Sequence, residues 1–236
     1  MKRIFGKNII LSQELINGSK ILLIVIFTLS IYSCIDRGKK SKIDAIISNG
    51  KKPYIVFDSV RYYAEHDSLI DSFEKNENSK DKADEFRETV HAWITNGAPK
   101  RFWELLYSKI PVSKLFIVIE LGTQDGYYLC YTLFCSSDVF YTAISDSPEQ
   151  DSIIIKEVTH QQLLNIFNVL SDSLEVFNIN STYFEGVFEG HITILFLNIE
   201  EEQISIVTND DLNPSNKQLN NLFLFLYERV FKLPKY

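Results

Sequence analysis

The chain has 236 residues, of which 45% are hydrophobic and 23% charged, with only 9 glycines and 6 prolines. This composition excludes disordered and collagen-like chains and predicts a globular protein. Four basic residues and one glutamate give residues 1–33 a net charge of +3, so the rest of the chain carries −10. An acidic domain repels phosphate backbones, and we therefore expect no nucleic-acid partner.

An apolar segment, Ile21 to Ser33, follows the basic N-terminus. Its thirteen residues are too few for a membrane-spanning helix, which needs about 20, but they match the apolar core of a signal peptide. The segment ends in Ile31-Tyr32-Ser33-Cys34. This sequence resembles the lipobox of bacterial lipoproteins, with an aliphatic residue three positions before the cysteine and a small residue directly before it.

The lipoprotein resemblance implies a signal peptide over residues 1–33, cleavage before Cys34 and attachment of acyl chains such as palmitate to that cysteine. It implies an address in the cell envelope, anchored to a membrane by lipid. Ile35 follows the cysteine, whereas an aspartate at that position retains lipoproteins at the inner membrane, so the outer membrane is favoured. Residues 34–52 contain six basic residues and little apolar pattern. We interpret them as the lipidated cysteine and a tether.

Residues 53–110 have a mainly helical pattern. Apolar residues recur at helical spacing between Ser79, a candidate N-cap, and Gly97, a candidate helix end. A second, shorter helix follows and stops at Pro111.

Residues 114–158 have the pattern of four strands, which we place at 114–121, 127–135, 138–145 and 152–158. Asp125-Gly126 indicates a hairpin turn between the first two. Thr159 and Gln162 form a capping box, which predicts the start of a helix.

The order of two strands and a helix then recurs. Strands are predicted at 191–199 and 203–210, and a final helix begins at residues 214–218. Residues 162–170 and 218–226 align at several positions, which indicates either a duplicated hairpin–helix unit or two helices that follow the same rules. We therefore predict an α+β fold in a single domain of residues 53–236, with a mainly antiparallel sheet and helices packed on one face.

The two cysteines of the predicted domain, Cys130 and Cys135, lie in one strand. A separation of five residues directs their side chains to opposite faces, so they cannot form a disulfide with each other while the strand is regular. We expect two buried thiols.

Residues that carry chemistry are few. The sequence has no phosphate-binding, zinc-protease or nucleophile-elbow motif, and we expect no cofactor. The candidate site residues are Glu185, Glu189 and His191, which share one face if the segment is extended. Two carboxylates and an imidazole on one face suit a metal or acid–base catalysis, but the same alternation is typical of a half-exposed strand.

Three functional hypotheses remain open, and catalysis is uncertain but disfavoured. The first is a lipid-anchored, non-enzymatic envelope protein that binds another protein as an immunity, inhibitor or accessory factor. The second is a hydrolase or metal-dependent enzyme using Glu185, Glu189 and His191. The third is a glycan-binding module. For the first hypothesis, the acidic surface predicts a basic partner. Four aromatic residues are candidate anchors if they are exposed, the alternative being that they belong to the core, namely Tyr62, Tyr63, Phe102 and Trp103.

Overall fold

A computed structural model describes residues 37–53, 57–74, 80–145, 151–174, 181–183, 191–199, 202–208 and 217–232. The chain divides into two compact units, Met1–Asp44 and Ala45–Tyr236. In the first unit, the described residues 37–44 are helical. In the second, residues 45–49 are helical, and these two stretches are labelled α1.

Five further helices belong to the second unit. They are α2 (Ser59–Glu74), α3 (Lys80–Asn96), α4 (Ala98–Lys109), α5 (His160–Leu174) and α6 (Lys217–Phe225), and a π-helical turn, Leu226–Phe231, continues α6. The predicted helical character of residues 53–110 is confirmed. The predicted end at Gly97 is also confirmed, since this residue has a φ of 69°, the left-handed conformation that glycine adopts at helix ends. Ser79 and residues 214–216 lie outside the described residues.

The capping box predicted before α5 is present. The Thr159 backbone N–H donates to Gln162 Oε1 at 3.0 Å, and the Gln162 backbone N–H donates to Thr159 Oγ1 at 3.3 Å. These two bonds satisfy amides that the first turn of a helix leaves without backbone partners.

One seven-stranded sheet contains every described strand, in the order β4-β3-β2-β1-β6-β7-β5. Neighbouring strands are antiparallel, except that β5 runs parallel to β7 at one edge. The α+β class and the mainly antiparallel sheet are thus confirmed. The strands are β1 (Lys114–Thr123), β2 (Tyr128–Ser136), β3 (Val139–Ser145), β4 (Ile153–Val158), β5 (Ser181–Tyr183), β6 (His191–Ile199) and β7 (Glu202–Thr208).

Two tight turns fix the register of the first three strands. Gly126, with a φ of 87°, closes the predicted β1–β2 turn, where its N–H donates to Thr123 O. Ser137 and Asp138 have φ values of 47° and 68° and join β2 to β3. Two consecutive residues with positive φ are the mark of a type I′ turn, whose twist matches that of the strands it joins.

The helices lie on both faces of the sheet, which corrects the prediction that they pack on one. On one face, α2, α3 and α4 pack against a set of residues that includes Val118, Cys130 and Ile194. On the other face, the ring of Phe116 contacts that of Phe167 in α5, with centroids 5.9 Å apart. The physical reason is that β1 is almost continuously buried, and a strand without polar alternation needs a cover on each side.

Two further predictions, the tether and the duplicated hairpin–helix unit, involve residues that the structure describes only in part. Helix α1 lies within the predicted tether, residues 34–52, and Lys51 pairs with Leu115 of β1 through backbone hydrogen bonds of 2.8 and 2.9 Å. The unit that begins at Ala45 therefore includes part of the predicted tether. The hairpin–helix duplication stays a prediction, because residues 200–201 and 209–216 lie outside the described part of the chain.

The cysteine prediction is confirmed. Cys130 and Cys135 are free and buried. Cys130 pairs with Glu120 across β1 and belongs to the face covered by α2 to α4, whereas Cys135 pairs with Phe140 on the opposite face. The sheet itself therefore separates the two thiols.

Substitution of Gly122 by alanine should destabilise the protein. A methyl group there would collide with the Tyr127 carbonyl oxygen and lie 2.9 Å from the Trp93 ring. We expect the free energy of unfolding in urea to fall by about 1–3 kcal/mol. Gly38 in α1 is the matched control, because a methyl group there would meet nothing within 4 Å. Equal stability of Gly122→Ala and Gly38→Ala would contradict this packing.

Candidate functional site

A groove of about 340 Å³ lies between α5, the π-helical turn and the two outer strands β3 and β4. We call it the α5 groove. Its volume is at the lower end of the range of about 300–1,000 Å³ that is usual for ligand sites. It is lined by Thr142, Lys156, Glu157, Val158, Gln162, Asn165, Ile166, Val169, Phe225, Arg229, Val230 and Lys232.

One side of helix α5 forms one wall of the α5 groove. Gln162, Asn165, Ile166 and Val169 are spaced so that they occupy one side of α5. Ile166 is buried, whereas Val169 is 38% exposed. The wall therefore changes from apolar at its base to open at its rim.

The charged residues of the α5 groove are mostly basic. Among the described residues that line it, Lys156, Arg229 and Lys232 are basic and Glu157 is the one acidic residue. Within the described part of the chain, no ion pair involves any of these three cations. Lys232 adopts a left-handed conformation, and its backbone N–H donates to Tyr227 O, which ends the π-helical turn. The groove thus combines an apolar base with a local positive charge on an acidic chain.

A second polar cluster lies in the core beneath α2. His66 Nε2 and Glu120 Oε2 are 2.6 Å apart, and Tyr128 Oη donates to Glu120 Oε1 at 2.7 Å. His66 Nδ1 lies 2.7 Å from Tyr62 O, and since a carbonyl oxygen only accepts, Nδ1 is the donor. His66 and Glu120 are each 1% exposed. We call these three side chains the His66 network.

Burial governs the acid–base behaviour around the His66 network. Burial raises the pKa of the Tyr128 phenol well above its ordinary value, and the electrostatic influence of the neighbouring acidic groups of Cys130 and Glu120 raises it further. Burial likewise raises the pKa of the Cys130 thiol, with a smaller contribution from the charge of Glu120. Both groups therefore hold their protons, so neither is an activated nucleophile at neutral pH.

The geometry of the His66 network fits a structural role. Both ring nitrogens of His66 and both carboxylate oxygens of Glu120 already have partners within the protein. Glu120 borders a cavity of about 20 Å³, which is room for about one water molecule and not for a substrate. The network joins α2 to β1 and β2 through bonds that a buried carboxylate requires.

The predicted site residues are only partly described by the structure. Cys34, Glu185 and Glu189 lie outside the described residues. His191 begins β6, where its backbone is paired with Thr123, and its side chain is likewise outside the description. Their use in lipidation, metal binding or catalysis remains a prediction. In the residues the structure does describe, no group of three metal-ligating side chains lies together, and no helix has the length and apolar character needed to cross a membrane.

The predicted aromatic anchors are core residues, and that expectation was wrong. Tyr62 is 1% exposed, Phe102 and Trp103 are fully buried, and Tyr63 packs against the same core. They are buried because α2 and α4 turn these positions toward the sheet.

Sequence reasoning missed both the α5 groove and the His66 network. The network had one signal, Glu120, which interrupts the apolar run of β1 and must find a partner if the strand is buried. The groove had no comparable signal, because its cations come from β4 and the π-helical turn, which are far apart in the chain.

No protein-family model matches the chain, and no curated protein is significantly similar to it.

Replacement of Glu120 by alanine should destabilise the fold strongly. The change leaves His66 Nε2 and Tyr128 Oη buried without their hydrogen-bond partners, and each such loss costs about 1–3 kcal/mol. Glu104→Ala is the matched control, since Glu104 is exposed and pairs with Lys100 four residues away on the same helix. We expect urea denaturation to place Glu120→Ala at least about 2 kcal/mol below the control. If the two variants have the same free energy of unfolding, the network does not stabilise the protein.

Proposed function

We propose that this chain is a lipid-anchored protein of the bacterial cell envelope that binds a protein partner, and that the α5 groove is its contact surface. The anchor is proposed from the Ile31-Tyr32-Ser33-Cys34 sequence, with outer-membrane delivery favoured by Ile35. The observation that carries the binding function is the groove itself, an open cavity of about 340 Å³ with an apolar base and three cations at its walls.

Exposed apolar residues extend the proposed contact surface beyond the cavity. Val169 belongs to the groove and is 38% exposed, and Ile154, 41% exposed, precedes Lys156 by two positions on the same face of β4. Leu224, 38% exposed, is adjacent in sequence to the groove residue Phe225. Apolar side chains around an open cavity favour a macromolecular partner over a small ligand that fits entirely inside.

The charge of the α5 groove changes the expected partner. The net charge of the whole chain is −7, which favoured a basic partner. Three cations against one carboxylate in the groove favour an acidic segment at the point of contact, because local charge decides which residues meet at an interface.

The binding hypothesis is preferred to catalysis on the described geometry. The His66 network contains acid–base groups, but its polar atoms are engaged and enclosed. The α5 groove is open, but the described residues that line it include neither a histidine nor a cysteine. In the described part of the chain, no residue favours the glycan-binding hypothesis.

Lipid attachment is tested by metabolic labelling with a fatty-acid probe. We expect the wild-type chain to incorporate the probe and Cys34→Ala to lose the label, because the thiol is the attachment site. Cys135→Ala is the control, since Cys135 is buried within the sheet and should not affect labelling. Equal labelling of the wild type and Cys34→Ala would contradict the proposed anchor.

The contact surface is tested by photo-crosslinking in native membranes. A photoreactive amino acid replaces Val169 in the groove or, as the control, Val60 on α2, which is 76% exposed. We expect Val169 to yield one dominant crosslinked protein that Val60 does not, because only the former lies at the proposed interface. A common set of products from both positions would show that the α5 groove is not the binding surface.

A further inference from the structure

The strand β4 is an edge of the sheet next to the α5 groove. It pairs with β3 from Phe140↔Val158 to Ser145↔Ile153 and ends the strand order. In the described part of the chain, no second strand pairs with its other side. An edge strand presents backbone N–H and C=O groups to whatever lies beside it.

The α5 groove lies against this edge strand. Lys156, Glu157 and Val158 all line it, although consecutive strand residues point to opposite faces of a sheet. The groove therefore runs beside three successive residues at the end of the edge strand.

The side chains of the groove indicate which kind of segment would bind along that edge. Val158, Ile166 and Val230 are buried apolar residues at its base. Lys156, Arg229 and Lys232 provide positive charge at its walls. Lys156 and Val158 lie on the same face of β4, so an extended segment that presents both apolar and acidic side chains on that face is complementary to both features.

We propose that the α5 groove binds an extended acidic segment of a partner protein, which adds to the sheet as a strand alongside β4. The inference rests on the proposed protein-binding function and specifies its mode. Backbone hydrogen bonds to β4 hold the segment, and the apolar base and the three cations select its side chains.

The charges on β4 fit a partner different from β4 itself. Lys156 and Glu157 are exposed on the edge, and charged residues on an edge strand oppose the pairing of identical chains. Arg229 and Lys232 add positive charge without a second carboxylate. The combination disfavours self-association and favours an acidic strand.

Synthetic peptides test the proposal with full-length protein in non-ionic detergent. The probe is a fluorescent peptide that repeats Val-Val-Glu-Glu, so that each face of the extended strand carries both residue types, and the matched control replaces each glutamate with lysine. Fluorescence anisotropy should show at least about tenfold weaker binding of the lysine peptide, since it places like charges together. Equal binding of the two peptides would overturn the charge selection.

Methylation of the peptide backbone tests strand addition. Alternate amides of an extended peptide point to the same side, so one methylated set blocks pairing with β4 and the other set faces away. We expect one of the two methylated peptides to bind at least about tenfold more weakly and the other to retain binding. If both bind as well as the unmethylated peptide, the segment does not add as a strand.

Charge reversal locates the peptide on the protein. Arg229→Glu should weaken binding of the acidic peptide at least about tenfold. Lys100→Glu changes the net charge equally but lies on α4, on the opposite face of the sheet, where Lys100 pairs with Glu104, and should have little effect. Equal weakening by both variants would mean general charge attraction and would overturn the assignment to the groove.

Different experimental results would reject the acidic-strand inference and the protein-binding function on which it rests. A crosslinked partner at Val169 together with no peptide binding would retain the protein-binding function and reject the acidic strand. Absence of any crosslinked partner at Val169 would reject the function at this surface. Binding of palmitate at Arg229, with no binding of the peptide, would assign the groove to a small amphiphile and overturn the inference.

Discussion

The two-sided burial of the central strands is the constraint on which the rest of the structure depends. Strands β1 and β2 contain long unbroken runs of buried residues, so each face of the sheet must be covered. Helices α2, α3 and α4 cover one face, and α5, α6 and the π-helical turn cover the other. The α5 groove lies where the second cover meets β4, at the edge of the sheet.

The same burial explains the His66 network. Glu120 is a carboxylate in the middle of a buried strand, and water cannot solvate it there. Its oxygens bind the side chains of His66 and Tyr128 instead, which ties a helix and a neighbouring strand to the centre of the sheet. A buried charge is costly unless it is paired in this way. The network therefore links α2 to the centre of the sheet, and the open groove is left as the candidate for function.

Local structure was largely predictable from the sequence, whereas the arrangement of layers was not. Periodicity, the capping box at Thr159 and the turn at Gly126 each depend on a few adjacent residues, and the structure confirms them. The number of helical layers depends on whether an apolar run such as residues 114–121 is buried on one face or two. The unbroken run contained that information, but the prediction placed the helices on one face only.

The candidate site was beyond sequence reasoning for a related reason. Lys156, Arg229 and Lys232 meet because β4 and the π-helical turn lie beside α5, and no local pattern encodes that juxtaposition. Conversely, Tyr62 and Trp103 were recognised as large aromatic residues, but only packing shows that they fill the core. Side-chain type indicates what a residue can do, and tertiary contacts decide whether it is available to do it.

Amide hydrogen exchange on the full-length protein, with and without the valine–glutamate peptide, tests the central claim most directly. Addition of a strand would bury the outward amides of β4, so we predict slower exchange in Ile153–Val158 and no change in the central strand β1. Exchange that is unaltered in β4, or slowed equally in all strands, would contradict the assignment of the binding surface to this edge.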